Sequence, residues 1–373
     1  MNEPAENPEQ QGKSSPISWN RNRGKLLLGL VFGVGLAYLA VRNVRFDEVW
    51  GEISGLPLHT WLIVAGLFLI QQYLRAWRQQ IMVQAIVPES SYRGNLSVLC
   101  ISFFCINSFP LRLGELVRPY LLQDKEGIEV GAGFGVVALE RLLDLASALV
   151  VLFAVITLLD LPSTQIIVAG VEFDVAAVTR GLAQMALAPL LILLFSLVLF
   201  PAAAVGVLAA IMGRVRALLP WGPIAKITGT IERFSGAFTE GLGAAREPRR
   251  LLAIVVLTVV TWGGSGFMYV ALADGFGIEG VTWQVGMGIL VVTMLGTALP
   301  SPPGFAGVYE FAVVSALLLF GVVVDDPNMA LAFALVIHWW IWAVQSSTAL
   351  YFFVADGVSL KDTADYTRRS TSA

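Results

Sequence analysis

Three polar segments interrupt the apolar stretches of this chain, and they contain the residue types that bind charged ligands. The first segment, NSFPLRLGELVRPYLL, follows the apolar run LSVLCISFFCI. Arginine forks and unpaired backbone N–H groups at a broken helix are the donors that recognise phosphate. We therefore predict a phosphate-binding site that includes Asn107, Pro110, Arg112, Gly114, Glu115 and Arg118.

The residues of this first segment have different expected roles. Pro110 ends the apolar helix, and Gly114 lets the backbone come close to a ligand. If the chain after the turn is helical, Glu115 lies three positions from Arg112 and from Arg118 and can pair with both. The alternative is that the two arginines lie at a membrane interface and contact lipid headgroups nonspecifically.

The second segment, ALERLLDLAS, places Glu140, Arg141 and Asp144 inside a run that is otherwise long enough to span a membrane. Glu140 and Asp144 are four positions apart and share one face of a helix. The two carboxylates could balance the arginines of the first segment or carry protons. A structural ion pair near the interface explains them equally well.

The third segment, LPSPPGFAGVYE, contains three prolines and two glycines and cannot form a continuous helix. In lipid, such backbone survives only where protein or a water-filled cavity satisfies its polar groups. Glu310 begins the next helix, where the helix dipole alone would explain a carboxylate. We expect His338, which is followed by several tryptophans, to be a packed or interfacial residue. The third segment adds Pro300, Pro303, Gly304, Gly307 and Glu310 to the predicted site.

The elements that position these segments are predicted to be membrane helices. The chain is 56% hydrophobic and 14% charged, whereas a soluble domain has about 25% charged residues. We therefore predict an all-α polytopic membrane protein. The net charge of −3 gives no reason to expect a nucleic-acid partner. With two histidines and two cysteines (Cys100 and Cys105), we expect no metal site, disulfide, cofactor or enzymatic activity.

The apolar runs predict about six full spans and two re-entrant or broken helix pairs, roughly eight crossings in all. A full span needs about 20 residues, and the third, seventh and eighth runs are shorter. The runs are Leu26–Val41, Trp61–Leu74, Leu96–Phe109, Gly131–Leu159, Leu182–Met212, Leu251–Ala273, Trp283–Leu299, Phe311–Val324 and Met329–Val354.

The distribution of basic residues favours a re-entrant third run. If Leu96–Phe109 returns to the side it entered from, 20 Lys and Arg residues lie inside and three outside. If it crosses, the count is 8 inside and 15 outside. Both termini are then cytoplasmic. The second broken pair, 283–324, echoes the first and predicts an inverted repeat, but its charges do not show whether it crosses fully or turns back at mid-membrane.

The predicted domain organisation has three parts. Residues 1–25 form a disordered cytoplasmic tail, residues 26–355 form the membrane domain, and residues 356–373 form a second cytoplasmic tail. Within the membrane domain, the basic segment 213–250 has apolar positions near helical spacing. It is expected to lie on anionic inner-leaflet lipids as an amphipathic helix, or to be an ordinary basic loop.

The segments NSFPLRLGELVRPYLL, ERLLD and LPSPPGFAGVYE resemble, in that order, the signatures of the flippase-like membrane domain of the lysylphosphatidylglycerol synthase (multiple peptide resistance factor) family. The resemblance covers residues 25 to 355 and implies a multi-pass protein of a bacterial or archaeal cell membrane. It also implies lipid movement between leaflets and two re-entrant segments that meet near a lipid-binding cavity. Full synthases carry a further membrane region and an aminoacyl-transferase domain. This chain resembles the stand-alone members, so we do not expect lysyl transfer.

The leading functional hypothesis is a translocase for a phosphate-bearing lipid, either a phospholipid or a polyprenyl-phosphate-linked glycan. Arg112 and Arg118 would hold the phosphate, the nearby carboxylates would orient them or exchange protons, and Glu310 would close the opposite side. One alternative is a non-transporting membrane partner of a glycosyl- or aminoacyl-transferase. Another is a small-solute secondary transporter. Homo-oligomerisation is compatible with each of these.

Overall fold

The computed structural model describes residues 44–108, 114–158, 165–168, 171–174, 240–297, 302–323 and 326–359, with isolated positions between 34 and 40 and between 181 and 200. Several predictions lie outside these residues. They concern the N-terminal tail, the run at 182–212, most of the basic segment and of the C-terminal tail, and the residues Pro110, Arg112 and Pro300.

Helices make up most of the described chain. In chain order they are α1 (Phe46–Gly55), α2 (Leu58–Val83), α3 (Tyr92–Ser108), α4 (Gly114–Glu126), α5 (Val130–Leu158), α6 (Pro248–Phe276), α7 (Trp283–Thr297), α8 (Val308–Leu319) and α9 (Pro327–Ala355). Short 3-10 turns, Gly243–Arg246 and Pro303–Phe305, precede α6 and α8.

The described chain is helical, as the sequence predicts, apart from one small strand pair. Strands β1 (Gln165–Val168) and β2 (Val171–Asp174) pair antiparallel, with Gln165 opposite Asp174 and Val168 opposite Val171. The sequence QIIVAGVEFD places β-branched residues on both sides of two small residues, a composition that favours a hairpin over a helix.

Two of the described helices, α6 and α9, are long and apolar enough to cross a membrane. Helices α1 and α2 give a third candidate if they count as one span, although they meet at 82°. Helix α5 has 29 residues but carries the charged residues of the second polar segment in its interior. The apolar character of these helices makes this a membrane-embedded protein, and the predicted total of about six spans remains a prediction.

Helices α3 and α4 form an antiparallel hairpin, called hairpin A below. Near its tip, a Cβ atom on Gly114 would overlap the backbone of Cys105 and Ile106, so only glycine allows this approach. At its base, the Glu126 carboxylate accepts hydrogen bonds from Ser90 Oγ (2.6 Å) and Ser91 N (2.9 Å). The end of α4 thus returns to the start of α3, as the re-entrant interpretation predicts.

Helices α7 and α8 form a second antiparallel hairpin, hairpin B. Gly296 packs against Ala312, and Gly288 packs against the ring of Phe320. Because these contacts pair the start of α7 with the end of α8, the two helices run antiparallel and the chain returns to the end from which it started. The turn is made by the third polar segment, where Gly304 has a positive φ of 72°.

The two hairpins approach α9 from opposite ends, and their tips meet beside its middle. Asp356, just beyond the C-terminal end of α9, bonds Arg93 and Lys125 at the base of hairpin A. Glu310 at the tip of hairpin B contacts His338 in the middle of α9. A Cβ atom on Gly304 would lie 3.9 Å from the carbonyl oxygen of Asn107, near the tip of hairpin A.

Each hairpin has its own apolar core. Around hairpin B, residues of α2, α6, α7, α8 and the first half of α9 pack together, including Phe68, Leu272 and Phe333. Around hairpin A, α3 and α4 pack with α5 and the ends of α2, α6 and α9, including Met82 and Leu139. The polar segments lie between these two cores.

Candidate functional site

Four arginines and two carboxylates form a cluster beside hairpin A, called the arginine cluster below. It comprises Arg75 and Arg78 from α2, Arg118 from α4, and Glu140, Arg141 and Asp144 from α5. The side chains of Arg78 and Glu140 are fully buried, and that of Arg118 is 1% exposed. Ionic groups are costly in an apolar interior unless each is paired, so their contacts decide what the cluster can do.

The guanidinium group of Arg118 donates two hydrogen bonds to each of two side chains, Glu140 and Gln79. Its Nη1 and Nη2 atoms donate to Glu140 Oε1 (2.8 Å) and Oε2 (2.7 Å), which is a bidentate ion pair. Its Nε and Nη2 atoms also donate to Gln79 Oε1, at 2.8 Å for Nε. Arg118 therefore joins α4 to α5 and α2.

Arg78 lies on α2 and joins this helix to α5 and α6. Its Nη1 atom donates to Asp144 Oδ1 (2.7 Å) and to Thr258 Oγ1 (2.9 Å). Its Nη2 atom lies 3.5 Å from Glu140 Oε1. The indole Nε1 of Trp262 also donates to Asp144 Oδ1, at 3.0 Å. Removing one partner from such a buried network typically costs about 3–5 kcal/mol.

The two remaining arginines are more accessible. Arg141 donates from Nη2 to Glu140 Oε1 (3.0 Å), and its side chain is 37% exposed. Arg75 is half-buried, and its guanidinium carbon lies over the rings of Phe103 (5.2 Å to the centroid) and Trp262 (5.4 Å). These two side chains form the part of the cluster that a ligand could reach.

The structure gives Arg118 and Glu115 of the first segment contacts that differ from the predicted ones. The sequence predicts that Arg118 holds phosphate, but its fork is filled by Glu140 and Gln79, so it forms a structural ion pair. Among the described residues, Glu115 forms no ion pair with Arg118, because tertiary packing offers Arg118 a carboxylate on α5 instead. A Cβ atom on Gly114 would meet the backbone of α3 in the same hairpin, and its predicted approach to a ligand stays a prediction. The role of Arg112 remains a prediction.

The second segment contributes as expected to charge balance. Glu140 balances Arg118, and Asp144 balances Arg78, with Arg141 contacting Glu140 at 3.0 Å. The expectation that the carboxylates pair with Arg112 as well lies outside the described residues. The finding supports structural ion pairing for Glu140 and Asp144.

A second polar group lies at the tip of hairpin B. The Glu310 carboxylate accepts from the backbone N–H of Gly307 (2.7 Å) and from Trp339 Nε1 (2.9 Å), and it lies 2.8 Å from His338 Nδ1. The Tyr309 ring stacks on His338 at a centroid distance of 4.2 Å. The predicted helix-start role of Glu310 is present, but the sequence does not predict its contact with His338.

The remaining residues predicted in the third segment form the turn itself. Pro303 begins the 3-10 turn. Gly304 faces Asn107 of hairpin A and the ring of Trp339, and a Cβ atom on Gly304 would lie just under 4 Å from each. Gly307 has a positive φ of 80° and supplies the N–H that Glu310 caps. These residues shape the contact between hairpins.

The two polar groups lie close together along α3. Phe103 contacts the arginine cluster, whereas Asn107 meets the tip of hairpin B. These residues are four positions apart on one helix, which corresponds to a rise of about 6 Å. The structure therefore brings described residues of all three predicted segments into one region between the hairpins.

The predicted apolar run Trp61–Leu74 ends just before Arg75, and the count of 20 basic residues inside treats Arg75 and Arg78 as cytoplasmic. In the structure both lie within α2. A usable signal is present in the sequence. The polar residues Gln71, Arg75, Arg78 and Gln79 recur at helical spacing and define one face of α2. A polar face within an otherwise apolar helix indicates a partner inside the protein.

Comparison with known proteins assigns the family. The family described as the lysylphosphatidylglycerol synthase TM region matches residues 26–347. No curated protein and no solved structure matches the chain. The matched range contains both hairpins, the arginine cluster and Glu310. The chain therefore belongs to the family of the lysylphosphatidylglycerol synthase transmembrane region.

Proposed function

We propose that this protein moves a phosphate-bearing lipid between the leaflets of a cell membrane. The observation that carries the proposal is the meeting of two opposed hairpins beside the middle of α9. The substrate would be a phospholipid or a polyprenyl-phosphate-linked glycan, and the lipid tails would stay in the bilayer while the headgroup passes between the hairpins.

Opposed hairpins suit this task because each replaces half of the hydrocarbon barrier with protein. Broken helices at mid-membrane are tolerated only where protein or a water-filled cavity satisfies their backbone. In membrane transporters, such interruptions at corresponding positions of two halves are typical of a binding site. The approach of Gly304 to the carbonyl oxygen of Asn107 supports a site at the hairpin tips.

The charge of the arginine cluster favours an anionic substrate. Four guanidinium groups face two contacting carboxylates, Glu140 and Asp144. Glu115 adds a longer-range attraction on Arg141. The surplus positive charge is inside an apolar protein, where an anionic headgroup would compensate it.

The proposal includes an orientation. We place the base of hairpin A and both termini on the cytoplasmic side, because basic residues are concentrated there in the sequence. The base of hairpin B then faces the outside. A headgroup could approach the tips from either leaflet.

The test is lipid movement in vesicles reconstituted with the purified protein. A phospholipid with a fluorescent headgroup-side label is added to the outer leaflet, and dithionite then reports how much remains accessible. We expect faster protection from dithionite in protein-containing vesicles than in empty ones, with or without an imposed proton gradient. A glycolipid that carries the same label but no phosphate should move no faster than in empty vesicles.

The same vesicles separate this proposal from its alternatives. A non-transporting partner of a transferase would leave both labelled lipids at the rate of empty vesicles under every gradient. A small-solute transporter would move a water-soluble anion into the lumen and leave the lipids unchanged. Either result would contradict lipid translocation.

A further inference from the structure

Arg75 differs from the other three arginines of the cluster because no carboxylate contacts its guanidinium among the described residues. Arg118 and Arg141 contact Glu140, and Arg78 contacts Asp144 and lies 3.5 Å from Glu140. Both carboxylates, Glu140 and Asp144, therefore already form ion pairs with other arginines.

Arg75 is nevertheless held in place by aromatic rings. Its guanidinium carbon lies 5.2 Å from the ring centroid of Phe103 and 5.4 Å from that of Trp262. Trp262 is fixed in turn, because its indole N–H donates to Asp144. Contacts with ring faces occupy the flat side of a guanidinium and leave the N–H groups at its edge able to donate.

The position of Arg75 on α2 directs it into the protein. Gln71, Gln72, Ala76 and Gln79 are buried and share its side of the helix, whereas Tyr73 and Trp77 are exposed on the other side. Arg75 itself is half-buried. A lipid-facing arginine extending towards the membrane surface would lie on the exposed face with Tyr73 and Trp77.

Phe103 also links Arg75 to the more accessible Arg141. The guanidinium carbon of Arg141 lies 5.9 Å from the same ring centroid, and that of Arg118 lies 5.8 Å away. Arg75 and Arg141 thus lie on one aromatic platform that is about one helical turn from the meeting point of the hairpins.

We propose that Arg75 is the primary contact for the anionic group of the ligand, a phosphate monoester or diester, and that Arg141 is the second donor. Arg78, Arg118, Glu140 and Asp144 form the rigid frame that holds both. This inference rests on the proposed function for its ligand class, and it names a residue that the sequence motifs did not single out.

The test is a binding measurement that does not require transport. The protein in a neutral detergent is titrated calorimetrically with dihexanoyl phosphatidylglycerol and, separately, with inorganic phosphate. Arg75→Gln should weaken binding on the order of tenfold to a hundredfold, the loss typical of a charge-assisted hydrogen bond. The matched control is Arg249→Gln, an exposed arginine at the start of α6, and it should bind like the wild type.

Two further variants keep the proposal testable if Arg75→Gln does not fold. Arg75→Lys keeps the charge and loses the planar fork, and Phe103→Leu removes one ring face without changing any charge. We expect each to weaken binding by about threefold or more, as for the loss of an exposed cation–π contact. Wild-type binding in Arg75→Gln, or in both Arg75→Lys and Phe103→Leu, would overturn the proposal.

The two ligands identify the source of the phosphate group. Preference for the short-chain lipid over inorganic phosphate assigns the site to a headgroup, and equal affinity assigns it to free phosphate. Arg75-dependent binding without lipid movement in vesicles would overturn the proposed function and leave this site standing. Lipid movement together with unchanged binding in the Arg75 variants would support the proposed function and overturn the assignment of Arg75.

Discussion

The carboxylate of Glu310 lies 2.8 Å from Nδ1 of His338, and this contact ties the tip of hairpin B to the middle of α9. Both side chains are 7% exposed. The same carboxylate accepts from Gly307 and Trp339, so one buried group holds a helix start, a turn and a neighbouring helix together. The position of the hairpin tip depends on this carboxylate.

Replacing this carboxylate should loosen hairpin B. Glu310→Gln keeps the size of the side chain and loses its charge. We expect the free energy of unfolding to fall by about 1.5–3 kcal/mol, the value of one hydrogen bond to a charged group. His338→Gln tests the other partner, and the exposed Glu279→Gln is the control. Thermal unfolding in detergent measures all three. Equal midpoints for Glu310→Gln and Glu279→Gln would show that the contact does not stabilise the fold.

The ion pair between Arg118 and Glu140 should behave as a unit. Each single change, Arg118→Gln or Glu140→Gln, takes the bidentate partner away from a buried charge and should cost about 3–5 kcal/mol. The double variant should be much less destabilised than the sum of the two, because neither buried charge remains. Chemical unfolding of the four proteins gives the coupling energy. Additive losses would mean that the two groups act independently.

Gly114 should tolerate no side chain. A Cβ atom there would overlap the backbone of Cys105 and Ile106, so Gly114→Ala must push α4 away from α3 and should destabilise by about 1–3 kcal/mol, as overpacking does. Gly264→Ala in α6 is the matched control, because nothing lies within 4 Å of its Cβ position. The control should be neutral or stabilising by up to about 1 kcal/mol. Unfolding midpoints that fall equally in both variants would contradict the close approach.

Asp356 should make the stability of the protein depend on pH. Burial acts to raise the pKa of this carboxyl, but hydrogen bonds from Lys125, Ser97 and Arg93 outweigh burial and lower the pKa below its usual range. A lowered pKa means that the stabilisation is complete above about pH 4, the value for an unfolded aspartate, and is lost as pH falls through the lowered value.

The measurement for Asp356 is the thermal midpoint of wild type and Asp356→Asn between neutral pH and about pH 3, below the usual aspartate pKa. We expect the variant to be less stable at neutral pH and the gap to shrink in acid. A gap that stays constant over this range would mean that the charge of Asp356 contributes nothing.

The hairpins could be predicted from sequence because their signals are local. The run at 96–109 is too short to cross, and the prolines and glycines of the third segment exclude a continuous helix. Charge bias along the chain then favours re-entry over crossing for the first pair. For the second pair, the packing of Gly288 against Phe320 shows that α8 returns alongside α7, which the sequence does not show.

The partners of the buried charges could not be predicted in the same way. Helical spacing offers Glu115 to Arg118, but the partner that Arg118 bonds is Glu140, 22 positions along the chain. Arg78 finds Asp144, which is 66 positions away. Such choices depend on which helices pack together, and a single sequence carries no direct record of that packing.

Opposed entry of the two hairpins is the central claim, and cysteine labelling from each side of the membrane tests it most directly. Single cysteines are placed at Glu89 and Glu129, beside the base of hairpin A, and at Glu279 and Leu319, beside the base of hairpin B, where all four native side chains are exposed. Cys100 and Cys105 are buried and are replaced by alanine in the background. A membrane-impermeant maleimide should label the first two positions from the cytoplasmic side only and the last two from the outside only. Labelling of Glu89 and Glu129 from opposite sides, or of all four positions from one side, would contradict the account.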